Sequence, residues 1–304
     1  MKQLKHNIIR KYLLHSFTNF LGKVVEEPDK IICYVKQNRC KKDSYYYTIA
    51  CFGISEHKQK LANEYNLNKP ICYILDGISF IRDTVHIWGY NNCEVIVKNC
   101  EFGFDLRLHI NGTCTLDNTY IKAFSSLNIV ANNLNIENMN LKNHLNSGGP
   151  LNITLESNEE IKINNSTIGS IDGKNNLTII SPQTLYLNNS NIEGEYVECI
   201  ADKLITDSNS IIKTTKQLNI DIDNLQEITV NSKNINYNGN NIKGSEHPLI
   251  IKPITSPKHQ KILNLIKVLN EIKSECENQK QIIIEEYNKK IQRTQIRKIL
   301  TKKS

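Results

Sequence analysis

Leu116-Asp117-Asn118-Thr119-Tyr120-Ile121 and Ile136-Glu137-Asn138-Met139-Asn140-Leu141 are two copies of one six-residue pattern. An apolar residue is followed by a polar pair that usually contains Asn, two variable residues and a second apolar residue. Upstream the pattern reads Leu75-Asp76-Gly77-Ile78-Ser79-Phe80 and Val97-Lys98-Asn99-Cys100-Glu101-Phe102. Downstream it reads Ile163-Asn164-Asn165-Ser166-Thr167-Ile168 and Leu187-Asn188-Asn189-Ser190-Asn191-Ile192, with weaker copies beginning at Thr206 and Val230. Successive copies start 19 to 27 residues apart, and the longest step holds the evident loop Asn146-Ser147-Gly148-Gly149-Pro150. Between copies lie short alternating stretches such as Leu106–Leu108–Ile110, Leu127–Ile129 and Leu218–Ile220–Ile222. Period-two apolar residues predict strands buried on one side. Asn tolerates a left-handed backbone, which suits a sharp bend between strands. Asn side chains on stacked turns can bond to one another as a ladder. A recurring unit of about twenty residues with variable insertions predicts a solenoid.

The nine cysteines are Cys33, Cys40, Cys51, Cys72, Cys93, Cys100, Cys114, Cys199 and Cys276. They form no C-x-x-C pair, and their odd number without a secretion signal argues against a disulfide framework. Cys72, Cys93 and Cys114 fall 21 residues apart, and Cys51 lies another 21 before them. Leu134, Leu185, Leu204 and Leu225 recur at comparable steps. This spacing predicts small apolar residues stacked in the core, where free Cys acts as a compact hydrophobe. Metal or redox chemistry is the lesser alternative. Cys51 is the doubtful member, because 56–65 reads as helix.

The Asn-centred turn and coils of about twenty residues resemble those of the right-handed parallel β-helix, or pectin-lyase-like, superfamily, over residues 71 to about 245. The resemblance implies a mainly β protein built on a single-stranded parallel β-helix of about 8 coils. Around it the sequence predicts an N-terminal α+β cap over 1–70, and a linker with a long basic C-terminal helix over 246–304. The superfamily includes polygalacturonases, whose paired Asp, Gly-His-Gly and Arg-Ile-Lys elements do not occur in this chain. No Asp-Asp pair exists, so the simplest paired-carboxylate signature of glycoside hydrolysis is missing. Carboxylates from different coils can still meet in space.

A β-helix needs capped ends. In the first 25 residues Leu4, Ile8, Tyr12, Phe17 and Phe20 predict an amphipathic helix, followed by strands over 30–35 and 45–52. Pro248, Pro253 and Pro257 mark a linker, and Ser256-Pro257 reads as the start of a helix. Ile262, Leu265, Leu269, Ile272, Cys276, Gln279 and Ile283 then alternate at three and four, the spacing of a coiled-coil seam, weakened at Gln279, or of a helix folded back as a cap.

One outward constellation stands out. A 21-residue coil places Thr84, His86 and Trp88 on Asp105, Arg107 and His109, with Ser126 and Asn128 on the next coil. The only Trp beside Arg, His and Asp suits stacking on a sugar ring. The same stripe could equally hold a loop of the cap. Trp88, His86, Arg107, His109 and Asp105 are therefore the candidate ligand-binding residues. No catalytic residue, metal ligand or cofactor is implied.

The chain has 304 residues, 38 Lys+Arg and 31 Asp+Glu, a net charge of +7, 39% hydrophobic residues and a mean hydropathy of −0.42. That composition and the lack of a long apolar run predict a cytoplasmic protein without a transmembrane segment. The net charge arises by cancellation: 1–70 carries +7, 71–245 carries −7, 246–288 is neutral and 289–304 carries +7. The last segment contains Lys289, Lys290, Arg293, Arg297, Lys298, Lys302 and Lys303 with no acid, which predicts a contact with an anionic partner. Homo-oligomerisation through 257–304 and a glycan on the Trp88 stripe are the other expected partnerships. Together these features predict a non-enzymatic rod-like scaffold or binding protein. The alternatives are a polysaccharide lyase or hydrolase and a bactofilin-like cytoskeletal polymer.

Overall fold

The computed structural model describes residues 21–35, 46–54, 60, 63, 69–80, 84–121, 126–141, 152–169, 175–225 and 227–252. The chain divides into two units, Met1–Ser256 and Pro257–Ser304, and all described residues belong to the first. The expected C-terminal helix and its coiled-coil seam lie outside the described residues. So does nearly all of the helix expected over 56–65.

Alternating side chains make nineteen strands among the described residues. β1 (Leu21–Glu26), β2 (Ile31–Val35), β3 (Tyr46–Phe52), β4 (Ile71–Asp76) and β5 (Ser79–Phe80) come first. β6 (Thr84–Lys98), β7 (Glu101–Phe102), β8 (Leu106–Asp117), β9 (Tyr120–Ile121), β10 (Ser126–Glu137) and β11 (Asn140–Leu141) follow. β12 (Asn152–Ser157), β13 (Glu160–Asn164), β14 (Thr167–Gly169) and β15 (Asn176–Asn188) continue the stack. β16 (Asn191–Thr206), β17 (Ile211–Leu225), β18 (Ile228–Tyr237) and β19 (Asn240–Ile251) complete it. All pairings are parallel except β1 with β2 and β18 with β19. The result is a parallel β-solenoid of about 7 turns. In each coil a front segment bends into a second side, which an Asn turn joins to a short third side. The bend shows as a register shift, as between Gly89 and Cys93 or Ala131 and Asn133.

Inward side chains stack in columns. On the front side Ile87, Leu108, Ile129, Leu155, Ile179 and Cys199 lie in register, each at 0% exposure. On the second side Cys114, Leu134, Ile161, Leu185, Leu204 and Leu225 form another column. Burying one such side chain contributes about 1.5–3 kcal/mol, so a pair of columns dominates the stability. The expected Leu column is therefore present, but the 21-residue cysteine spacing does not form one. Cys72 faces Glu94, Cys93 faces Gly112, Cys114 faces Val95 and Cys51 faces Gly89. Asn91 (φ 57°) and Asn92 (φ 52°) bulge out of β6, so equal spacing in sequence does not give equal height in the stack. Every described thiol is nonetheless buried. Burial pushes Cys93, Cys114 and Cys199 up to about 12 and Cys100 up to about 11, so they remain neutral thiols.

The turn chemistry matches the pattern. Asn99, Asn118, Asn138, Asn165 and Asn189 are all left-handed, with φ of 43–53°, and Gly77 takes the same place at 65°. Each turn N–H reaches the next coil, as in Asn118 N–H to Glu137 O at 3.1 Å and Asn165 N–H to Asn188 O at 2.9 Å. The carboxamides form a ladder: Asn118 donates to Asn99 at 2.8 Å, Asn99 to Asp76 at 2.9 Å and Asn189 to Asn165 at 3.1 Å. The following residue, which sequence reading leaves as variable, is buried and makes a second ladder. Ser166 Oγ accepts from Met139 N–H (3.0 Å), Ser190 Oγ from Ser166 N–H (3.2 Å) and Ser210 Oγ from Ser190 N–H (3.1 Å).

Both weak copies depart from the pattern. The Thr206 copy stacks on Leu187, but its turn at Asp207–Ser210 carries one extra residue and no left-handed position. Val230 pairs with Ile212, after the turn rather than before it, so that copy is out of phase. The solenoid also begins earlier than residue 71, since β2 stacks on β4 and β3 on β6. The Tyr73 hydroxyl secures β3 by donating to Phe52 O and accepting from Phe52 N–H, both at 3.0 Å. Residues 21–25, expected at the end of a helix, lie in β1, where Val24 and Val25 pair with Cys33 and Ile32. Pro248 lies not in a linker but within β19, at a bulge where an edge strand tolerates it. The last coil closes on Asn238, whose carboxamide donates to Ile222 O and accepts from Ile222 N–H, both at 2.9 Å.

Two substitutions test this account by urea denaturation. Asn118→Ala should lose about 1–2 kcal/mol for the left-handed backbone, while Asn118→Gly stays near wild type. Ser190→Ala leaves the buried Ser166 N–H without its acceptor and should cost about 1–3 kcal/mol.

Candidate binding face

Because inward residues alternate with outward ones, the front segments present their remaining side chains in columns too. A middle column runs His86, Arg107, Asn128, Thr154, Thr178 and Glu198. Beside it run Trp88, His109, Val130, Glu156, Ile180 and Ile200, followed by Asp221. An outer column contains Ser126, Asn152, Asn176, Tyr196 and Gln217. The expected register of His86 on Arg107 and Trp88 on His109 is the observed one. Asp105 immediately precedes this strand and joins the group by accepting Ser126 N–H at 3.0 Å.

The five sequence-selected residues therefore lie together on two adjacent strands. Trp88 is half-buried rather than fully exposed, and its ring stacks on His109 at a centroid distance of 4.7 Å and 21° between planes. Arg107 is exposed and makes no ion pair with a described residue. Burial holds His86 below the ordinary histidine value, Arg107 and His109 push the same way, and Asp105 opposes them. Oδ1 of Asn128 is buried without a hydrogen-bond partner among the described residues. The group can stack on a planar ring or sugar face and hold an anion at Arg107. The seven basic residues from Lys289 to Lys303 lie outside the described residues.

Sequence reading missed a second feature. A surface hollow of about 320 Å³ is lined by Lys162, Asn164, Tyr186, Asn188, Thr206 and Asp207. It lies beside the one-residue-longer turn at Asp207–Ser210. Lys162 pairs with Glu160 at 3.0 Å and sits 5.4 Å from the Tyr186 ring centroid. The signal available in the sequence was the spacing within the copy, where Ser210 follows Thr206 by four residues while Ser190 follows Leu187 by three. The coils also bring Asp117 opposite Glu137, two carboxylates that no sequence neighbourhood connects. Among the described residues no group of three or more His, Cys, Asp or Glu could hold a metal ion, and no helix is long and apolar enough to cross a membrane. No family, curated protein or solved structure matches the chain.

The His86 environment has a measurable consequence. Its folded pKa lies below its unfolded value of about 6.5, so protonation favours unfolding. This contribution to stability is complete above about pH 6.5 and declines as the pH falls through the folded value. His86→Gln should flatten that part of the pH–stability curve. An NMR titration of the wild-type ring should show a midpoint below the ordinary value; a midpoint at or above it would refute the assignment.

Proposed function

We propose that the protein is a non-enzymatic β-solenoid scaffold whose front face is a contact surface. The observation that carries this reading is the group of Trp88, His86, Arg107, His109 and Asp105, set beside a field of side chains in strand register whose middle column is short and polar at Asn128, Thr154 and Thr178. Such a field presents hydrogen-bonding groups every ~4.8 Å along the stack and suits an extended or flat partner. The Asn-turn pattern supports a place in the pectin-lyase-like superfamily. Cytoplasmic localisation, a coiled-coil role for 257–304 and an anionic partner for Lys289–Lys303 complete the proposal on sequence grounds.

The ends weigh against a bactofilin-like polymer. β3 pairs on one side only among the described residues, whereas the outermost strands of the main sheet path, β1 and β19, each pair antiparallel with their neighbour, and β19 carries Lys243, Pro248 and a bulge. These are features that discourage edge-to-edge growth. The Asp117–Glu137 pair is the specific observation favouring a polysaccharide-cleaving enzyme. Incubation of the full chain with neutral and acidic polysaccharides separates the two. The scaffold reading expects no new reducing ends and no unsaturated product, whereas turnover abolished by Glu137→Gln would establish the enzyme.

A further inference from the structure

The charges of the front face are sorted along the stack. Arg107, His86 and His109 occupy its early strands, β6 and β8, whereas Glu198 and Asp221 occupy its late ones, β16 and β17. Neither Arg107 nor Glu198 forms an ion pair with a described residue. Between them lie Asn128, Thr154 and Thr178 in one column and Val130 and Ile180 in the next, all half-buried. The face therefore carries the cation Arg107 towards its early end, beside Asp105, and the anions Glu198 and Asp221 towards its late end, with Glu156 the one charge between Val130 and Ile180.

We infer that the front face binds a second copy of the chain, packed face to face with the two stacks antiparallel. This rests on reading the front face as a contact surface. The seven strands that carry these side chains, β6, β8, β10, β12, β15, β16 and β17, are flanked by β3 and β18, and β12 is the middle of the seven. A twofold axis along β12 keeps each column opposite itself and exchanges early strands for late ones. β8 then meets β16, so Arg107 faces the partner's Glu198, and symmetry makes that pair twice. β10 meets β15, which sets Val130 against the partner's Ile180 and Asn128 against the partner's Thr178. In the outer column Asp105 approaches the partner's Tyr196, whose side chain is 45% exposed. One meeting is unfavourable: Glu156, on the axis strand, faces the partner's Glu156. A face of seven strands by five residues covers roughly 29 by 17 Å, or about 1,000 Å² buried in total, which places the dimer at the weak end of specific association.

Sedimentation of the full chain across about 1–100 μM tests the inference. Wild type should show a monomer–dimer equilibrium that weakens with salt. Arg107→Glu and Glu198→Arg should each weaken it roughly tenfold or more, and the double exchange R107E/E198R should restore it. Glu156→Gln should tighten it, an effect that association through 257–304 would not show. Unchanged thermal midpoints would exclude misfolding of the variants. A dimer indifferent to the single reversals, or a double variant no better than either single one, would overturn the inference. A wild-type monomer at every concentration would overturn it too. In that last case Trp88 fluorescence with a glycan panel separates the two readings. A response lost in Arg107→Glu keeps the contact face and replaces the second copy with a sugar, whereas no response sinks both.

Discussion

A single backbone requirement underlies the stack: the third turn residue must be left-handed. In that conformation the chain reverses direction while its N–H still points at the carbonyl of the next coil, as Asn99 does to Asp117 at 3.1 Å. Asn meets the requirement at lower cost than other non-Gly residues because its short polar side chain bonds locally. Its carboxamide then adds a rung between coils. Direction change and vertical bonding are thus met by one residue type, and the apolar columns follow because identical turns keep the coils in phase.

Departures from that turn generate the special features. The extra residue at Asp207–Ser210 gives up the left-handed position, and the hollow beside Tyr186 adjoins this turn. At the end of the stack Asn238 is left-handed again, but its carboxamide pairs with both backbone groups of Ile222 and takes the place of a further strand. The same residue type therefore propagates the solenoid in one context and terminates it in another, depending on whether its side chain meets a ladder or a strand end.

The fold was legible because turn and column are local consequences of residue order. Asn118 and Asn138 announce the turn, and Leu106–Leu108–Ile110 announces which side is buried. The front-face register was legible for the same reason, since β6 and β8 run without interruption from Val85 to Gly89 opposite Leu106 to Ile110. What equal spacing could not convey was a bulge. Asn91 and Asn92 shift Cys93 out of the position that counting assigns it, and nothing in their identity distinguishes a bulge from another turn. The buried Ser ladder was also hidden. Cys100, Thr119, Met139, Ser166 and Ser190 look unrelated until geometry shows that three of them, Met139, Ser166 and Ser190, supply an atom that accepts a backbone N–H.

The remaining sides of the stack differ from the front in how their charges are paired. Lys30 pairs with Glu94, Lys98 with Asp76, Lys162 with Glu160 and Lys213 with Glu193, all within 3.7 Å. Those charges are answered by neighbours one or two strands, or two residues, away within the chain, even though each exposed pair contributes little to stability. On the front, Arg107 and Glu198 share a column but stand four strands apart, with uncharged Asn128, Thr154 and Thr178 between them. At ~4.8 Å per strand that is about 19 Å, and solvent screening largely removes their attraction within one molecule. Charges of opposite sign too distant to pair within one chain are left to water or to a partner laid along the stack, which is the arrangement the proposed dimer uses.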